Sequence, residues 1–301
     1  MNLPSAVLAF AGRGADWAAF VDRLPRLVED LVADWELSRD GAPMHGFCAL
    51  VLPVRTTDGR PAALKVGFPE EESEHEHLAL QHWHGRGAVR LLRADPHRSA
   101  MLLERLHTRD LSGLGDVPAC EVVAGLYQQL HVPAPPQLRT LSSYVARWST
   151  DLAGLPRSAP VPRRLVEQGS ALGRDLARDP ASVGTMIHTD LHYANVLAAD
   201  RQPWLGIDPK PLNGDPHYEI APMLWNRWSE MAGDVRAGVR RRFYTLVDTA
   251  GLDEDRARDW VVVRMMHNAM WRLAEEPGTR RVTPTADFLT TCVTIAKAVQ
   301  D

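Results

Sequence analysis

The sequence predicts an α+β protein with two lobes, a small lobe of mixed helices and strands and a larger lobe that is mainly helical. Two observations lead to this prediction. Strand-like apolar stretches separated by turn signals fall before Leu106, and after it the apolar residues recur mostly at helical spacing. We therefore expect an N-lobe with an antiparallel sheet over residues 1–105 and a mainly helical C-lobe over residues 106–301.

The predicted N-lobe has the order helix, hairpin, helix, hairpin. Residues 14–38 carry apolar side chains at helical spacing and predict one or two helices. The stretches "FCALVLPV" and "PAALKVGF" predict strands joined by a hairpin turn with Asp58 and Gly59 at its tip. "PEEESEHEHLALQHWHGRG" predicts a helix that begins at Pro69 and ends at Gly85. "AVRLLRAD" and "RSAMLLERL" predict the second hairpin.

The predicted C-lobe begins with three helices, in "PACEVVAGLYQQLH", "LSSYVARWSTDLAGL" and "RRLVEQGSALGRDLA". The proline-rich connection "VPAPPQLR" joins the first two. Short strands then interrupt the helices around "MIHTDLHYANVL", and "NVLAADRQPWLGID" predicts a hairpin around Asp200. From "APMLWNRW" to the end, the pattern predicts helices again.

Composition and charge exclude several classes of protein. Of the 301 residues 45% are apolar and 24% are charged, and the formal net charge is −4, which is typical of a globular protein. No long basic run is present, so we expect a small-molecule ligand and no nucleic acid. We expect no signal peptide. The sequence contains no apolar stretch of the roughly 20 residues that a membrane span needs and no CxxC pair. We expect a cytoplasmic monomer that does not bind membranes.

Polar side chains cluster in "HTDLHYAN", between two apolar segments. Asp190 and Asn195 lie in this loop, and Asp208 follows the next hairpin. Lys65 lies on a predicted strand of the N-lobe, and Glu76 lies on the helix after it. Phosphoryl transfer needs a carboxylate that takes the proton of the attacking hydroxyl, oxygen ligands for Mg²⁺, and a cation on the phosphates that is itself held by a carboxylate. The set therefore predicts phosphoryl-transfer chemistry.

These motifs resemble a known family. "HTDLHYAN" matches the H-x-D-x-x-x-x-N loop shared by aminoglycoside phosphotransferases and protein kinases, and "LGIDPK" stands where a protein kinase has D-F-G. With "DGRPAALKVGFPEEESEHEHLALQHWHGRGAVRLL", "AMLLERL" and "WLGIDPKPLNGDPHYEIAPMLWNRW", the chain resembles the streptomycin 6-phosphotransferase and hydroxyurea phosphotransferase branch over roughly residues 35–275. The resemblance implies a two-lobed protein-kinase-like fold. It also implies ATP-dependent transfer of phosphate to a hydroxyl of a small antibiotic such as streptomycin, which is resistance by phosphorylation.

The resemblance implies a role for each residue of the catalytic loop and its surroundings. Asp190 would be the catalytic base, and Asn195 and Asp208 would hold Mg²⁺. His188 would brace the loop by packing and hydrogen bonds, and Lys210 would reach the transferred phosphate.

The resemblance likewise implies a nucleotide site in the N-lobe. Lys65 would contact the α- and β-phosphates of ATP and pair with Glu76, although the residues alone leave Glu72 and Glu74 open as partners. The nucleotide itself is ATP by resemblance, and GTP stays open. The predicted hinge, whose backbone groups would face the base, consists of Glu104, Arg105 and Leu106.

The loop "PMHGFCALV" would cover the phosphates, with His45 and Gly46 near them. It departs from the G-x-G-x-x-G pattern of protein kinases because this stretch and the residues just before it contain only two glycines, Gly41 and Gly46. Asp215 and Glu219 follow the metal aspartate closely, so we expect them to face the substrate, with a bracing role left open for Glu219.

Other functions stay open at this stage. Hydroxyurea or another small metabolite could be the acceptor. A pseudokinase scaffold would lack a catalytic residue, and all the expected ones are present. A protein kinase would need a longer activation segment after Asp208. The histidines of "HEHLALQHWH" do not have the H-E-x-x-H spacing of a zinc site.

Overall fold

The computed structural model describes residues 2–275 and 284–301. Contacts within the chain divide it into two units, unit 1 (Met1–His107) and unit 2 (Thr108–Asp301). The sequence-based prediction puts the boundary between the lobes near Leu106. The functions that the sequence assigns to the two lobes remain predictions.

Unit 1 combines an antiparallel sheet with three helices among the residues that the structure describes. The helices are α1 (Ser5–Leu8), α2 (Ala15–Asp34) and α3 (Glu76–Trp83). The strands are β1 (Ser38–Arg39), β2 (Met44–His45), β3 (Ala49–Arg55), β4 (Pro61–Gly67), β5 (Leu91–Asp95) and β6 (Ala100–Glu104). Their order in the sheet is β1-β3-β4-β6-β5, and β2 also pairs with β3.

One face of this sheet packs against α2. The side chains of Ala62, Leu64 and Val66 on β4 belong to a buried core that also contains Phe20 and Leu24 of α2. Successive residues of a strand point to opposite faces, so Lys65 lies on the other face of β4. Packing of β4 against α2 on the core face thus fixes the strand from which Lys65 projects.

Both hairpins that the sequence predicts in unit 1 are confirmed. Strands β3 and β4 pair antiparallel in the register Val51–Lys65, and β5 pairs with β6. In the turn between β3 and β4, Gly59 adopts a φ of 80°, which favours glycine, and its N–H bonds to Thr56 O at 2.8 Å.

The predicted start of α3 is wrong. The helix begins at Glu76, and residues 71–75 form turns where the sequence predicts a helix from Pro69. The glutamates before Glu76 offer no apolar face, whereas Ala79, Leu80 and Trp83 are buried. Short helices depend on packing for most of their stability, so the helix begins where its packed face begins. Its end near Gly85 is as predicted.

Unit 2 is mainly helical, as the sequence predicts. Its helices are α4 (Asp116–Leu130), α5 (Leu141–Ala153), α6 (Arg163–Arg178), α7 (Ala221–Trp225), α8 (Val235–Ala250), α9 (Glu254–Ala274) and α10 (Thr285–Ala298). Its strands are β7 (Val132–Pro133), β8 (Thr185–Ile187), β9 (Val196–Ala198), β10 (Trp204–Gly206) and β11 (Leu212–Gly214). Strands β9 and β10 form the hairpin that the sequence predicts.

A small sheet of order β11-β8-β7 holds the start of the "HTDLHYAN" loop, and the sequence does not predict its outer strands. They are only two or three residues long, too short for a period to show. Gly214 makes the pairing of β11 with β8 feasible. A Cβ atom at this position would lie 2.5 Å from Ile187 Cδ1 and 2.9 Å from Leu141 Cβ.

The side chains of Cys48, Cys120 and Cys292 are all buried. None of the helices in the described parts of the chain is long and apolar enough to cross a membrane.

Candidate active site

In unit 1, Lys65 and Glu76 form a buried ion pair. Lys65 Nζ lies 2.6 Å from Oε1 and 2.7 Å from Oε2 of Glu76, and the two residues are 9% and 2% exposed. Glu76 occupies the first turn of α3, where it lies among the buried residues of that helix. Of the three glutamates that the sequence leaves open, the structure brings Glu76 to the lysine. A carboxylate that holds an ammonium group in place prepares it to meet phosphate oxygens.

The predicted phosphate loop is the turn of a short hairpin. Strand β2 pairs with β3 through Met44 and His45, and Gly46 N–H bonds to Ala49 O at 2.9 Å, which closes the turn. At its tip, Phe47 is 70% exposed. The structure thus places His45 and Gly46 in an exposed turn that belongs to the same sheet as Lys65.

The predicted hinge follows the end of β6. Glu104 closes the strand, and its Oε1 accepts a hydrogen bond from the N–H of Arg90 at 2.8 Å. The guanidinium of Arg105 turns back onto the sheet, with Nη2 2.9 Å from Asp40 Oδ2 and Nε 3.2 Å from Ala62 O. The side chain of Arg105 is therefore engaged within unit 1, and the expected contact of the hinge with a base concerns its backbone groups.

In unit 2, His188 lies directly after β8 and is fully buried. Its Nε2 donates to Ile207 O at 3.0 Å, and its Nδ1 accepts the N–H of Asp190 at 3.3 Å. Burial lowers the pKa of His188, against the raising effect of nearby carboxylates. A neutral imidazole with its proton on Nε2 satisfies both bonds. This geometry fits the bracing role expected for His188.

Asp190 and Asn195 are joined across the loop by two hydrogen bonds. Asn195 Nδ2 donates to Asp190 O at 2.9 Å and to Asp190 Oδ2 at 3.1 Å. The side chain of Asp190 keeps 32% exposure, while Asn195 is 9% exposed. His192, to which the sequence assigns no role, has its Nε2 3.7 Å from Asp190 Oδ1. The loop thus presents one carboxylate that is fixed yet accessible.

Asp208 reaches the same region through the β9–β10 hairpin. The N–H of Ile207 bonds to Asn195 O at 2.9 Å, and the N–H of Lys210 bonds to His188 O at 2.9 Å. Asp208 adopts a φ of 56° between these two anchors, and Lys210 Nζ lies 3.4 Å from its Oδ1. The backbone therefore ties the segment that carries Asp208 and Lys210 to the loop that carries Asp190.

The donor set in unit 2 fits Mg²⁺ better than a metal held by protein alone. Within residues 2–275 and 284–301, no group of three or more histidine, cysteine, aspartate or glutamate side chains is placed to hold a metal ion. Mg²⁺ commonly takes one or two carboxylates and completes its shell with waters and substrate phosphates. Both bonds of Asn195 to Asp190 use its NH₂ group, which leaves its amide oxygen for a cation. Asn195 and Asp208 thus fit the ligand set expected for Mg²⁺.

Thr189, the residue before Asp190, has an unusual backbone conformation that buried partners maintain. Its φ is 61°, in a region that β-branched residues rarely adopt. Its N–H donates to the carboxylate of Glu219, and its Oγ1 donates to Lys210 O at 2.7 Å. Glu219 is 1% exposed and also contacts His131 Nε2 at 3.0 Å. Glu219 therefore braces the loop, and of the two roles that the sequence leaves open, its burial corrects the one in which it faces the substrate.

The same correction applies to Asp215, which is 1% exposed. Its Oδ1 accepts from His217 Nδ1 at 2.6 Å, and its Oδ2 accepts from Arg256 Nε and Trp260 Nε1, both at 2.6 Å. Burial alone would raise the pKa of Asp215, but the bonds from His217 and Trp260 outweigh it, and the pKa is lowered. A buried carboxylate with these donors links α9 to the segment after β11 and does not face a ligand.

A second support of the loop involves residues that the sequence analysis does not identify. The ring of Tyr193, between Asp190 and Asn195, lies under two guanidinium groups, 4.6 Å from Arg227 Cζ and 5.5 Å from Arg242 Cζ. Arg242 is fully buried and pairs with Asp116 at 3.0 Å. No short motif carries this signal, because the partners lie on α4, just after α7, on α8 and in the loop.

Unit 2 also contains a cavity of about 670 Å³, which the sequence analysis does not predict. Trp148 and Trp271 meet in it edge to face, with ring centroids 4.7 Å apart. Its other lining residues are Arg147, Asp151, Leu155, Pro156, Ser158, Ala159, Pro160, Met270, Leu273 and Ala274. Besides the cation Arg147, two aromatic walls and the carboxylate of Asp151 line the cavity, and aromatic rings and carboxylates can contact a cationic small molecule.

Residues 34–276 match the family model described as aminoglycoside/hydroxyurea antibiotic resistance kinase. The chain belongs to this family. The match covers most of the chain and confirms the family that the sequence motifs resemble. It also confirms the expectation of a phosphotransferase.

Two relatives match this chain over most of their length. The chain is 42% identical to a streptomycin 6-kinase of Streptomyces glaucescens, with 100% of this chain and 97% of the relative covered. It is 43% identical to a hydroxyurea phosphotransferase of Kitasatospora aureofaciens, with 87% and 77% covered.

A solved structure confirms the predicted fold class. The chain superposes with a TM-score of 0.60 on a thermostable mutant of the aminoglycoside phosphotransferase APH(4)-Ia, a ternary complex with ADP and hygromycin B. The two chains are 16% identical, and the superposition covers 90% of this chain and 97% of that one. This family member therefore has the protein-kinase-like fold that the resemblance implies.

Proposed function

We propose that this kinase transfers the γ-phosphate of ATP to a hydroxyl group of an aminoglycoside antibiotic, with streptomycin as the first candidate. The observation that carries the proposal is the 42% identity to a streptomycin 6-kinase over the full length of the chain. The chain also contains all the residues that phosphoryl transfer is expected to need. We also propose that the enzyme acts in the cytoplasm as a monomer.

In this proposal, residues of unit 1 bind the nucleotide. Lys65 contacts the α- and β-phosphates, and Glu76 fixes its ammonium group at 2.6 Å. The turn with His45 and Gly46 covers the phosphates, and the backbone of residues 104–106 faces the base. The ADP of the solved aminoglycoside phosphotransferase complex supports the use of an adenine nucleotide.

Unit 2 contributes the groups that act on the acceptor. Asp190 orients the acceptor hydroxyl and takes its proton while the oxygen bonds to the γ-phosphorus. The bond from that phosphorus to the β,γ-bridging oxygen breaks at the same centre, and ADP leaves. Asn195 and Asp208 would hold Mg²⁺, which would supply positive charge that offsets the charge of the phosphates. Lys210, 3.4 Å from Asp208, adds a positive charge beside them. His188 and Glu219 keep the loop in the conformation that presents Asp190.

The acceptor is proposed to be cationic. Asp151, Trp148 and Trp271 line a cavity in unit 2 that suits a ring with positively charged substituents. Hydroxyurea is the second candidate because the identity to a hydroxyurea phosphotransferase, 43% over 87% of the chain, is as high as that to the streptomycin kinase. Hydroxyurea is small and uncharged, so it would gain little from Asp151.

The test is transfer of labelled phosphate from ATP in the presence of Mg²⁺ to streptomycin, other aminoglycosides and hydroxyurea, with GTP as the alternative donor. The proposal predicts a phosphorylated streptomycin whose mass rises by one phosphate group. Transfer to hydroxyurea alone would select the second candidate. Intact ATP binding with no transfer to any acceptor would reject both and favour a scaffold or a kinase of another metabolite.

A further inference from the structure

Arg13 connects the N-terminal segment to the turn between β2 and β3. It ends the short 3₁₀ helix Ala9–Arg13, and its guanidinium lies over the rings of Phe10, Trp17 and Phe47, with Cζ 4.4, 4.7 and 4.4 Å from the ring centroids. Nη1 also donates to Phe47 O at 2.7 Å. One side chain thus contacts both the ring and the backbone of the residue at the tip of the turn.

The N-terminal end of this connection is well packed. Trp17 stacks on Phe68 with centroids 3.7 Å apart and packs edge to face on Phe10 and Phe20. Phe10 and Phe20 are 3% and 1% exposed, and both belong to the core between α2 and the sheet. The rings over which Arg13 lies are therefore held by unit 1 itself.

The turn at the other end has few contacts of its own. Strand β2 contributes two residues to the pairing with β3, and a Cβ atom at Gly46 would meet nothing within 4 Å. Phe47 is 70% exposed. A two-residue strand pairing is weak by itself, so the contact with Arg13 is a substantial part of what orders the turn.

We propose that Arg13 is a positioning residue for the nucleotide, because it holds the turn around Gly46 and Phe47 over the phosphates. The inference rests on the proposed function, in which this turn covers the phosphates of ATP. Exposed loops have to be ordered before they can bind, and an anchor that orders them in advance reduces this cost. Loss of Arg13 should weaken ATP binding more than it slows transfer from bound ATP.

The experiment compares Arg13→Ala, Phe47→Ala and the double variant with the full-length wild type. Two quantities are measured for each protein, the hydrogen exchange of residues 44–51 and the steady-state KM values and kcat with streptomycin as acceptor. Arg26→Ala is the matched control, because Arg26 lies on α2 with 90% side-chain exposure and contacts Asp30 at 4.0 Å, not the turn.

Arg13→Ala should speed exchange in residues 44–51 and raise the KM for ATP by about three- to tenfold, as expected for the loss of one cation–π contact and one hydrogen bond. The kcat and the KM for the acceptor should change less than twofold in the same assay. The double variant should be little worse than Arg13→Ala, because both changes remove the same contact. Arg13→Lys should be intermediate, since lysine keeps the charge but not the planar stacking.

Two results would overturn the inference. Unchanged exchange in residues 44–51 of Arg13→Ala would show that the turn does not depend on Arg13. Faster exchange with an unchanged KM for ATP would show that the turn does not act on the nucleotide. If no acceptor is phosphorylated, the proposed function fails, and exchange with and without ATP still decides the inference. ATP should then protect residues 44–51 in the wild type and less so in Arg13→Ala.

Discussion

The buried carboxylate of Glu219 accepts a hydrogen bond from the backbone N–H of Thr189, the residue directly before Asp190. Thr189 has a φ of 61°, a conformation that costs of order 1–3 kcal/mol for a residue other than glycine. Glu219 is in turn contacted by His131, and its backbone oxygen accepts from Tyr127 at 2.7 Å. The position of the proposed catalytic base therefore depends on a carboxylate that lies 30 residues after Thr189 in the chain.

Replacement of Glu219 should separate acceptor turnover from nucleotide binding. In Glu219→Ala the N–H of Thr189 loses its partner in a buried site, which costs about 1–3 kcal/mol of the free energy of unfolding. We expect kcat to fall by about 10- to 100-fold because Asp190 is no longer held in place, while the KM for ATP changes little. Glu219→Gln keeps an acceptor for Thr189 and should retain most activity. A folded Glu219→Ala protein with the kcat of the wild type would contradict this account.

The Lys65–Glu76 pair should behave as one element in a double-mutant cycle. Removing one partner leaves a buried charge alone, which typically costs about 3–5 kcal/mol of stability, so both single variants should unfold at lower urea concentration. Lys65→Met and Glu76→Gln should each raise the KM for ATP, and the double variant should be no worse than Lys65→Met. Urea titrations and steady-state kinetics measure both quantities. Additive losses in KM would show that the two side chains act independently.

Local patterns predict much of unit 1 and of the catalytic loop. Two continuous apolar stretches and the Asp58-Gly59 turn between them are enough to place the β3–β4 hairpin, because the pairing of neighbouring strands is encoded within a short stretch. The spacing of Asp190 and Asn195 is likewise contained in eight residues. The start of α3 is not predicted correctly, since it depends on which residues find a surface to pack against.

Contacts between distant parts of the chain are what the sequence does not predict. Asp215 and Arg256 are 41 residues apart, and an acidic residue near a motif gives no sign that its partners will bury it. The cavity lined by Trp148 and Trp271 has the same origin, because α5 and α9, which are distant in the sequence, both contribute to it. Pairing at this range is decided by tertiary packing and not by local pattern.

His267 should make the protein sensitive to acid. It is fully buried, with Nε2 3.4 Å from Ser149 Oγ, and burial lowers its pKa to about 3. The unfolded chain, with a histidine pKa of about 6.5, binds a proton that the native state does not bind between pH 6.5 and 3. The free energy of unfolding should therefore fall as the pH falls through this window, by up to about 1.4 kcal/mol per pH unit from this group.

In His267→Gln the free energy of unfolding should depend less steeply on pH, by the contribution of nearly one bound proton. Urea unfolding at pH values between 7 and 4 measures this slope. His188 is also buried with a lowered pKa and contributes a slope of the same sign in both proteins. The exposed His97 provides the control, and His97→Gln should leave the slope unchanged. An equal slope in the wild type and His267→Gln would show that His267 does not cause the acid sensitivity.

Asp151 should matter for a charged acceptor and not for an uncharged one. It lines the cavity with Trp148 and Trp271, where its carboxylate can meet a guanidinium or ammonium group. Asp151→Asn should raise the KM for streptomycin by about three- to tenfold at low salt, with an effect that shrinks as salt is added. The KM for ATP should not change. Asp175→Asn, an exposed carboxylate on α6 outside the cavity lining, is the matched control, and equal effects of the two variants would contradict the role of the cavity.

A single-turnover measurement tests the claim that Asp190 acts as the base in phosphate transfer to a small antibiotic. Wild type and Asp190→Asn are mixed in excess over labelled ATP with Mg²⁺ and streptomycin, and the phosphorylated product is followed over time. We predict rapid transfer by the wild type, a rate lower by about 100-fold or more for Asp190→Asn, and equal ATP affinity for both. Transfer at similar rates by the two proteins would contradict the claim.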